Sequence, residues 1–143
     1  MKILAVDYGD TRTGLASCDR GELLASPMGT ITQKSLPKTV DMIVEAYKSS
    51  GAEMIVVGLP LNMDGSEGER AQTCRYVAEL ISEQLPDVPV KMWDERGTTK
   101  TAIMYMNETD VRGKRRKALL DGEAAAIILD SYLAFRKNTS DKR

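Results

Sequence analysis

Four acidic residues stand at the ends of apolar segments, where their side chains could bind a metal ion or act on a substrate: Asp7, Asp94, Glu95 and Asp121. Successive side chains of a helix turn by about 100°, so Asp121 would share one stripe with Ala125 and Ile128 and face inward. An inward-facing carboxylate costs several kcal/mol of folding free energy unless it is paired or binds a metal. The sequence therefore predicts a site that brings several carboxylates together.

The residue types limit the chemistry of such a site. The chain has no histidine, and Cys18 and Cys74 are far apart, which excludes Ser-His and Cys-His catalysis, imidazole-ligated metals and zinc knuckles. Carboxylates that meet at one edge of a sheet repel each other unless a cation offsets their charge. Oxygen ligands alone select Mg²⁺ or Mn²⁺, which activate water for phosphodiester cleavage. Each acid taken alone also fits a structural role, as a turn cap or as a complement to a helix dipole.

Basic residues accompany these acids and could bind a nucleic-acid backbone, because guanidinium groups suit phosphate contacts. The candidates are Arg12, Arg70, Arg96, Lys100, Arg112, Lys114, Arg115, Arg116 and Lys117. A solvated surface is the alternative for each of them, and for the dense run 112–117 as a whole. The small number of aromatic residues argues against a base-stacking platform.

The elements that must position these residues follow from hydrophobic periodicity and turn residues. Strands are predicted at 2–7, 13–18, 22–31, 54–57 and 90–93. Helices are predicted at 36–49, from a Ser66–Glu69 capping box to 84, from Thr98 or Thr99 to 106, and at 118–136. Pro27 and Gly29 favour an edge strand or a bulge at the third strand. The order predicts an α/β fold with a mixed sheet flanked by helices.

Length and composition indicate a soluble globular protein. The 143 residues are 42% hydrophobic and 29% charged, with a formal net charge of −1. A net charge this small points to no polyanionic partner, so nucleic-acid binding would depend on the local basic patches. We expect one domain at 1–138, a frayed tail at 139–143 and buried, reduced cysteines. No signal peptide or membrane span is evident, which predicts a cytoplasmic protein.

Four sequence blocks carry a resemblance to a known family: Asp7-Tyr-Gly-Asp-Thr-Arg-Thr-Gly14, Gly58-Leu-Pro-Leu-Asn-Met-Asp-Gly-Ser66 with Gly68-Glu-Arg-Ala71, Asp94-Glu-Arg-Gly-Thr-Thr99, and Asp121-Gly-Glu-Ala-Ala-Ala-Ile-Ile-Leu-Asp-Ser-Tyr-Leu133. In this order, and over nearly the whole chain, they resemble the YqgF family. That family comprises Holliday-junction-resolvase-like nucleases linked to maturation of the 5′ end of pre-16S ribosomal RNA.

The resemblance implies a ribonuclease-H-like fold, with a five-stranded mixed sheet of three antiparallel strands followed by parallel ones. It also implies that Asp7, Glu95 and Asp121 are the catalytic residues and the metal ligands, with Asp94 a possible ligand. The chain departs from the family pattern at Gly97 and at Gly122-Glu123, and Gly122 weakens the start of the last helix by about 1 kcal/mol relative to alanine. Neither departure removes a predicted ligand.

These observations predict a nuclease that uses Mg²⁺ or Mn²⁺ to hydrolyse phosphodiester bonds, with pre-16S rRNA as its substrate in ribosome biogenesis. Two alternatives within nucleic-acid biology stay open: a resolvase of branched DNA, and a non-catalytic RNA-binding module for ribosome assembly. A third alternative is an enzyme like the actin-like and sugar kinases, in which a similar first turn binds ATP phosphates. Those folds require two lobes, and 143 residues are enough for one. Monomer and homodimer are both compatible with the sequence.

Overall fold

A computed structural model of the chain describes residues 1–94 and 123–141, with side chains up to 138. Its elements are β1 Ile3–Asp7, β2 Arg12–Cys18, β3 Ala25–Thr32, α1 Leu36–Ser50, β4 Met54–Leu59, α2 Glu69–Gln84, β5 Val90–Asp94 and α3 Ala124–Asp141. The predicted helix from Thr98 or Thr99 to 106 lies outside the described residues. In residues 1–94 and 123–141 no helix is both long and apolar enough to cross a bilayer.

The strands form one five-stranded sheet in the order β3-β2-β1-β4-β5. The first three strands are joined by hairpins and pair antiparallel, whereas β1 pairs parallel with β4, and β4 with β5. The predicted mixed sheet is therefore confirmed. Because β1, β4 and β5 run in the same direction, their carboxyl ends lie at one edge, where α/β proteins usually bind ligands.

Helices cover both faces of the sheet, and each face has its own apolar core. On one face α1 and α2 pack against side chains such as Leu4, Val6 and Val57. On the other face α3 packs against Ile3, Ala5 and Val56. The described residues of the predicted inward stripe of α3 are buried, namely Ala125, Ile128, Leu129 and Tyr132, whereas Asp121 lies outside the described residues. Strand β4 is buried along its whole length, because both of its faces are covered by helices.

Strand β3 lies at the edge of the sheet and contains a bulge, so both features expected from Pro27 and Gly29 are present. Leu15 pairs with Gly29 and Ala16 with Pro27, which leaves Met28 as an extra residue on β3. Gly29 has φ 122°, a conformation that side chains with a Cβ rarely adopt.

Helix α1 begins at the predicted residue 36 and ends at Ser50, one residue beyond the predicted end. The Ser35 side chain accepts a hydrogen bond from the N–H of Lys38 at 3.4 Å, and Pro37 lies in the first turn. Gly51 ends the helix in the left-handed conformation, with φ 75°.

The capping box predicted for α2 is wrong. The helix begins at Glu69 with Gly68 at the N-cap, and no side chain caps it. The Ser66 hydroxyl instead donates to a carboxylate oxygen of Asp64 at 2.6 Å and accepts from the amide of Asn62 at 3.0 Å. The Ser66 hydroxyl is therefore engaged in hydrogen bonds within the loop and does not cap the helix.

Other boundaries also differ from the predictions. Strand β4 continues to Leu59, and β3 begins at Ala25 because Glu22 lies in a turn with φ 55°. Helix α3 continues to Asp141, beyond the predicted end at 136. Asp130 is exposed, and its carboxylate accepts the N–H of Ala25 at 3.1 Å, which joins α3 to the start of β3.

A charged group joins the β2–β3 turn to α3. The Arg136 guanidinium donates two hydrogen bonds to the Glu22 carboxylate, at 2.8 and 3.1 Å, and the amino group of Met1 donates a third at 3.1 Å. The hydrogen bond from Arg136 is the main reason that the pKa of Glu22 lies below its ordinary value, although burial opposes the effect.

Replacing Glu22 with glutamine is expected to lower the free energy of unfolding at pH 7 by about 1 kcal/mol, since the pair is partly exposed. A carboxylate whose pKa is lowered by folding stabilises the protein above its unfolded pKa, and this contribution is lost as the pH falls through the folded pKa. The difference in the free energy of unfolding between wild type and Glu22→Gln should therefore disappear as the pH drops below about 4. Urea unfolding over this pH range measures it. Glu79→Gln, an exposed change on α2, is the control, and a difference that persists unchanged at low pH would contradict the assignment.

Candidate functional site

Asp7 lies at the carboxyl end of β1, at the edge where the parallel strands end. Ile3 and Ala5 pack in the core beside α3, whereas Leu4 and Val6 pack beside α1 and α2. The alternation of a strand therefore puts the half-buried side chain of Asp7 on the α3 side. Its predicted position at the end of a buried strand is confirmed.

Two glycines flank Asp7 in the sheet. Gly14 is its partner on β2. On β4, Gly58 follows Val57, the partner of Val6, and so lies level with Asp7. Neither neighbour has a side chain, so the two adjacent strands add no side-chain bulk beside the carboxylate.

The turn between β1 and β2 is closed by a backbone contact at Gly9. A Cβ atom on Gly9 would lie 2.2 Å from the carbonyl oxygen of Arg12, too close for any side chain. Thr13 is 1% exposed, and its hydroxyl accepts the N–H of Gly9 and donates to the carbonyl of Gly9, both at 3.4 Å. The chain that follows Asp7 is therefore held by a glycine and a buried hydroxyl.

Arg70, in the first turn of α2, reaches the end of β1. Its Nη2 donates a hydrogen bond of 2.9 Å to the carbonyl oxygen of Tyr8. The Tyr8 ring is 6% exposed and packs in the same core as Cys74 of α2. Burial is the largest cause that raises the pKa of the Tyr8 hydroxyl, with Asp10 and Cys74 adding to it and Arg70 opposing it. Arg70 thus lies at the same edge as Asp7, as the sequence predicts.

Arg12 is the first residue of β2, one position before the predicted start of that strand at 13. Ala16 and Cys18 of the same strand pack beside α3. Alternation puts the exposed Arg12 on this side too, together with Asp7. A cationic side chain therefore stands on the same side of the sheet as the candidate carboxylate.

The end of β5 presents Trp93 and Asp94 to opposite sides. Val90 and Met92 pack against the core beside α1 and α2, and Trp93 packs against the core beside α3. By alternation, the exposed Asp94 belongs to the α1–α2 side, away from the side that carries Asp7.

Trp93 joins β5 to α3 through an aromatic cluster. Its ring centroid lies 5.3 Å from that of Tyr132 and 5.1 Å from that of Phe135. The indole N–H donates to the hydroxyl of Ser131 at 3.1 Å. These contacts fix α3 relative to the strand that immediately precedes Glu95 in the sequence.

The loop between β4 and α2 lies next to the end of β1 and is held by its own hydrogen bonds. The N–H of Asn62 donates to the carbonyl of Ser66 at 2.9 Å, and the N–H of Gly65 donates to the carbonyl of Asn62 at 2.8 Å. Gly65 has φ 89°, which favours glycine. At the end of the loop, Glu67 forms a two-point ion pair with Arg75 of α2, with both distances 2.7 Å.

Most of the predicted site residues lie outside the described part of the chain: Glu95, Arg96, Lys100, Arg112, Lys114, Arg115, Arg116, Lys117 and Asp121. Within residues 1–94 and 123–141, no three acidic or thiol side chains form a group that could hold a metal. Of the three predicted ligands, the structure thus describes Asp7 alone.

Two supporting groups were not singled out by the sequence: the Thr13 hydroxyl and the Tyr8 carbonyl. The spacing Asp7-x-Gly9-x-x-x-Thr13 is the one available signal, since a glycine just after a strand-terminal acid suggests close backbone packing. The bond from Arg70 to Tyr8 has no local signal, because 62 positions separate the two residues.

Comparison with known families and proteins gives a consistent result. A family model described as "RuvX: Holliday junction resolvase" matches residues 1–135. A protein of Halothermothrix orenii named "Putative pre-16S rRNA nuclease" is 39% identical over 136 residues, which cover 95% of this chain and 96% of that protein. A protein of the same name from Endomicrobium trichonymphae is 41% identical over 133 residues, covering 92% and 94%.

Solved structures share the fold at low sequence identity. Thermus thermophilus RuvC in complex with a Holliday junction substrate superposes with a TM-score of 0.60 at 16% identity, covering 97% of this chain and 98% of that one. The fowlpox virus Holliday junction resolvase gives a TM-score of 0.55 at 12% identity, covering 94% and 99%. The resolvase-like, ribonuclease-H-like fold expected from the sequence is thereby confirmed.

Proposed function

The chain belongs to the RuvX (YqgF) family, and from this premise we propose that it is a metal-dependent nuclease that processes the 5′ end of pre-16S rRNA. The family model spans residues 1–135, and full-length relatives carry a pre-16S rRNA nuclease name. Cleavage of nucleic acid is the activity that is named both for these relatives and for the resolvases that share the fold. The rRNA substrate and its 5′ end are the finer part of the proposal.

The position of Asp7 carries the proposal. It is a half-buried carboxylate at the carboxyl end of a central strand, and glycines flank it on both sides. Carboxylate oxygen is the donor that Mg²⁺ and Mn²⁺ prefer, and the chain has no histidine to favour a softer ion. A Mg²⁺ or Mn²⁺ ion therefore fits the oxygen donors of this chain, and Asp7, Glu95 and Asp121 would bind it. When bound, such a cation supplies Lewis acidity, which favours ionisation of water and offsets charge on the phosphate.

Glu95 and Asp121 are the remaining acids that the family resemblance implies, and both are present in the sequence. The described Asp94 lies on the α1–α2 side of the sheet, opposite to the side that carries Asp7. We therefore rank Asp94 behind Glu95 as a ligand.

The basic residues would bind the nucleic-acid backbone. Arg12 lies at the carboxyl edge on the same side of the sheet as Asp7, and Arg70 reaches that edge from α2 on the opposite side; both would orient phosphates there. Arg96, Lys100 and the basic run 112–117 would add sequence-independent contacts, which are sensitive to salt. We propose that the protein acts on RNA in the cytoplasm, as a monomer or a homodimer.

Resolution of branched DNA is the second candidate. The family model is described as a Holliday junction resolvase, and the fold is similar to that of a resolvase solved with its junction. Cutting two strands at a junction would suit a symmetric dimer, whereas trimming a single RNA strand requires one site.

A side-by-side cleavage assay tests the proposal, with a precursor 16S rRNA 5′ fragment and a four-way DNA junction as substrates. We expect products from the RNA with Mg²⁺ or Mn²⁺ and none with EDTA. Preferential cleavage of the junction would favour the resolvase. Salt-sensitive RNA binding that survives EDTA, without a product in either cation, would overturn the nuclease and indicate an RNA-binding module.

A further inference from the structure

One hydrogen bond connects α2 to the chain segment that carries Asp7. Arg70 Nη2 lies 2.9 Å from the carbonyl oxygen of Tyr8, the residue that follows Asp7. The last pair between β1 and β2 is Asp7–Gly14, and the last pair between β1 and β4 is Val6–Val57. The Tyr8 carbonyl thus lies just past the paired part of β1, where the sheet no longer fixes the backbone.

The two sides of Tyr8 are held by the same helix. Its ring is buried in the core that contains Cys74 of α2, and its carbonyl accepts from Arg70 of α2. The Tyr8 carbonyl belongs to the planar peptide unit that joins Tyr8 to Gly9, one residue beyond the unit that joins Asp7 to Tyr8. Because the ring of Tyr8 is buried and its carbonyl is hydrogen-bonded, Tyr8 is held through both its side chain and its backbone, which limits the movement of the strand end that carries Asp7. Arg70 therefore acts on the carboxylate through the backbone.

The guanidinium group has donors beyond the one that Tyr8 uses. It carries five N–H donors in a rigid plane, and within residues 1–94 and 123–141 its hydrogen bond is the one to Tyr8. Arg70 is exposed at the edge where the nucleic-acid backbone would approach Asp7. A planar fork can bond a carbonyl with one arm and a phosphate with the other, which the single ammonium group of lysine reproduces poorly.

We propose that Arg70 is a positioning residue that fixes the Tyr8 carbonyl, and through it Asp7, while its other N–H groups bind a phosphate of the nucleic-acid substrate. This inference rests on the proposed nuclease function and deepens it. One side chain then sets the distance between the substrate backbone and the carboxylate.

Lysine and glutamine substitutions at Arg70 test the inference against a matched arginine in the same helix. Arg75 is paired with Glu67 at 2.7 Å and serves as the control. We expect Arg70→Lys to lower kcat by on the order of 10- to 100-fold, as loss of a supporting contact does, and also to raise KM. Arg75→Lys should change either parameter by less than about twofold, because exposed ion pairs contribute little.

A chemical rescue separates positioning from general destabilisation. Arg70→Ala should regain part of its kcat when free guanidinium is added at concentrations that leave its melting temperature unchanged, and Arg75→Ala should not respond. Wild-type kinetics for Arg70→Lys would overturn the inference. So would a loss of activity that follows the fraction unfolded and is insensitive to guanidinium.

A binding experiment distinguishes failure of this inference from failure of the proposed function. If the wild type cleaves and the Arg70 variants cleave equally well, the inference fails and the nuclease stands. If the wild type does not cleave, the phosphate contact is judged by affinity for the same RNA in EDTA. Arg70→Gln should then reduce the slope of log K against log salt by about 0.7, the value for one phosphate on a single strand. An unchanged slope overturns the phosphate contact.

Discussion

Replacing Asp7 with asparagine is expected to slow phosphodiester cleavage by at least on the order of 10³-fold while the protein stays folded. Asparagine keeps the size of the side chain but loses its negative charge and one anionic oxygen, so a hard cation is bound far less well. Asp7 is half-buried at a strand end, and no side chain of Gly14 or Gly58 crowds it. The substitution therefore changes chemistry more than packing.

Asp10→Asn is the matched control for this experiment. Asp10 is exposed in the same turn, three positions after Asp7 and outside both strands. Single-turnover cleavage with Mn²⁺, together with thermal unfolding of each variant, measures the difference. If Asp7→Asn retains wild-type cleavage, the carboxylate is not part of a hydrolytic site. If Asp10→Asn loses as much activity as Asp7→Asn, the effect belongs to the charge of the turn and not to Asp7.

Replacing Gly9 with alanine is expected to lower the free energy of unfolding by about 2–3 kcal/mol, the cost of forcing an extra carbon into a packed site. The added Cβ would lie 2.2 Å from the backbone carbonyl of Arg12, and a backbone atom cannot move aside as a flexible side chain can. Relief requires the turn to open, which also separates Gly9 from the Thr13 hydroxyl. We therefore expect cleavage activity to fall in the fraction that remains folded.

Gly21→Ala, in the next turn along the chain, is the control for Gly9→Ala. A Cβ there would have its nearest contact at 3.6 Å, an ordinary distance to a leucine side chain. Its effect on stability should stay within about 0.5 kcal/mol, as for most surface changes. Urea unfolding monitored by the single tryptophan measures both variants. Equal stability of Gly9→Ala and wild type would show that the turn adapts and that the backbone contact has little energetic weight.

Much of the fold is predictable because strong local signals agree with the tertiary structure. The continuous apolar run at β4 reads as a strand covered on both sides, and helices do cover both. Pro37 and Gly51 mark the two ends of α1 in the sequence and in the structure. The position of Asp7 follows from the same reasoning, since a carboxylate at the end of a buried strand is visible in the sequence alone.

The supports of the site are not predictable in this way, because they depend on contacts between distant segments. Arg70 bonds a carbonyl far away in the chain, and no periodicity reports it. Ser66 shows the opposite case, in which a local pattern predicts a helix cap and a competing carboxylate on Asp64 takes the hydroxyl. Sequence patterns describe which donors and acceptors exist, and the fold decides which of them meet.

The bulge in β3 also affects how copies of the protein can meet. An outermost strand with regular backbone groups would be a template for intermolecular β-pairing and, at high concentration, for aggregation. Pro27 has no N–H to offer, and the extra residue Met28 interrupts the regular spacing of the donors and acceptors around it. This edge of the sheet is thus protected from joining a neighbour into a continuous intermolecular sheet, and self-association on this side has to use side-chain surfaces.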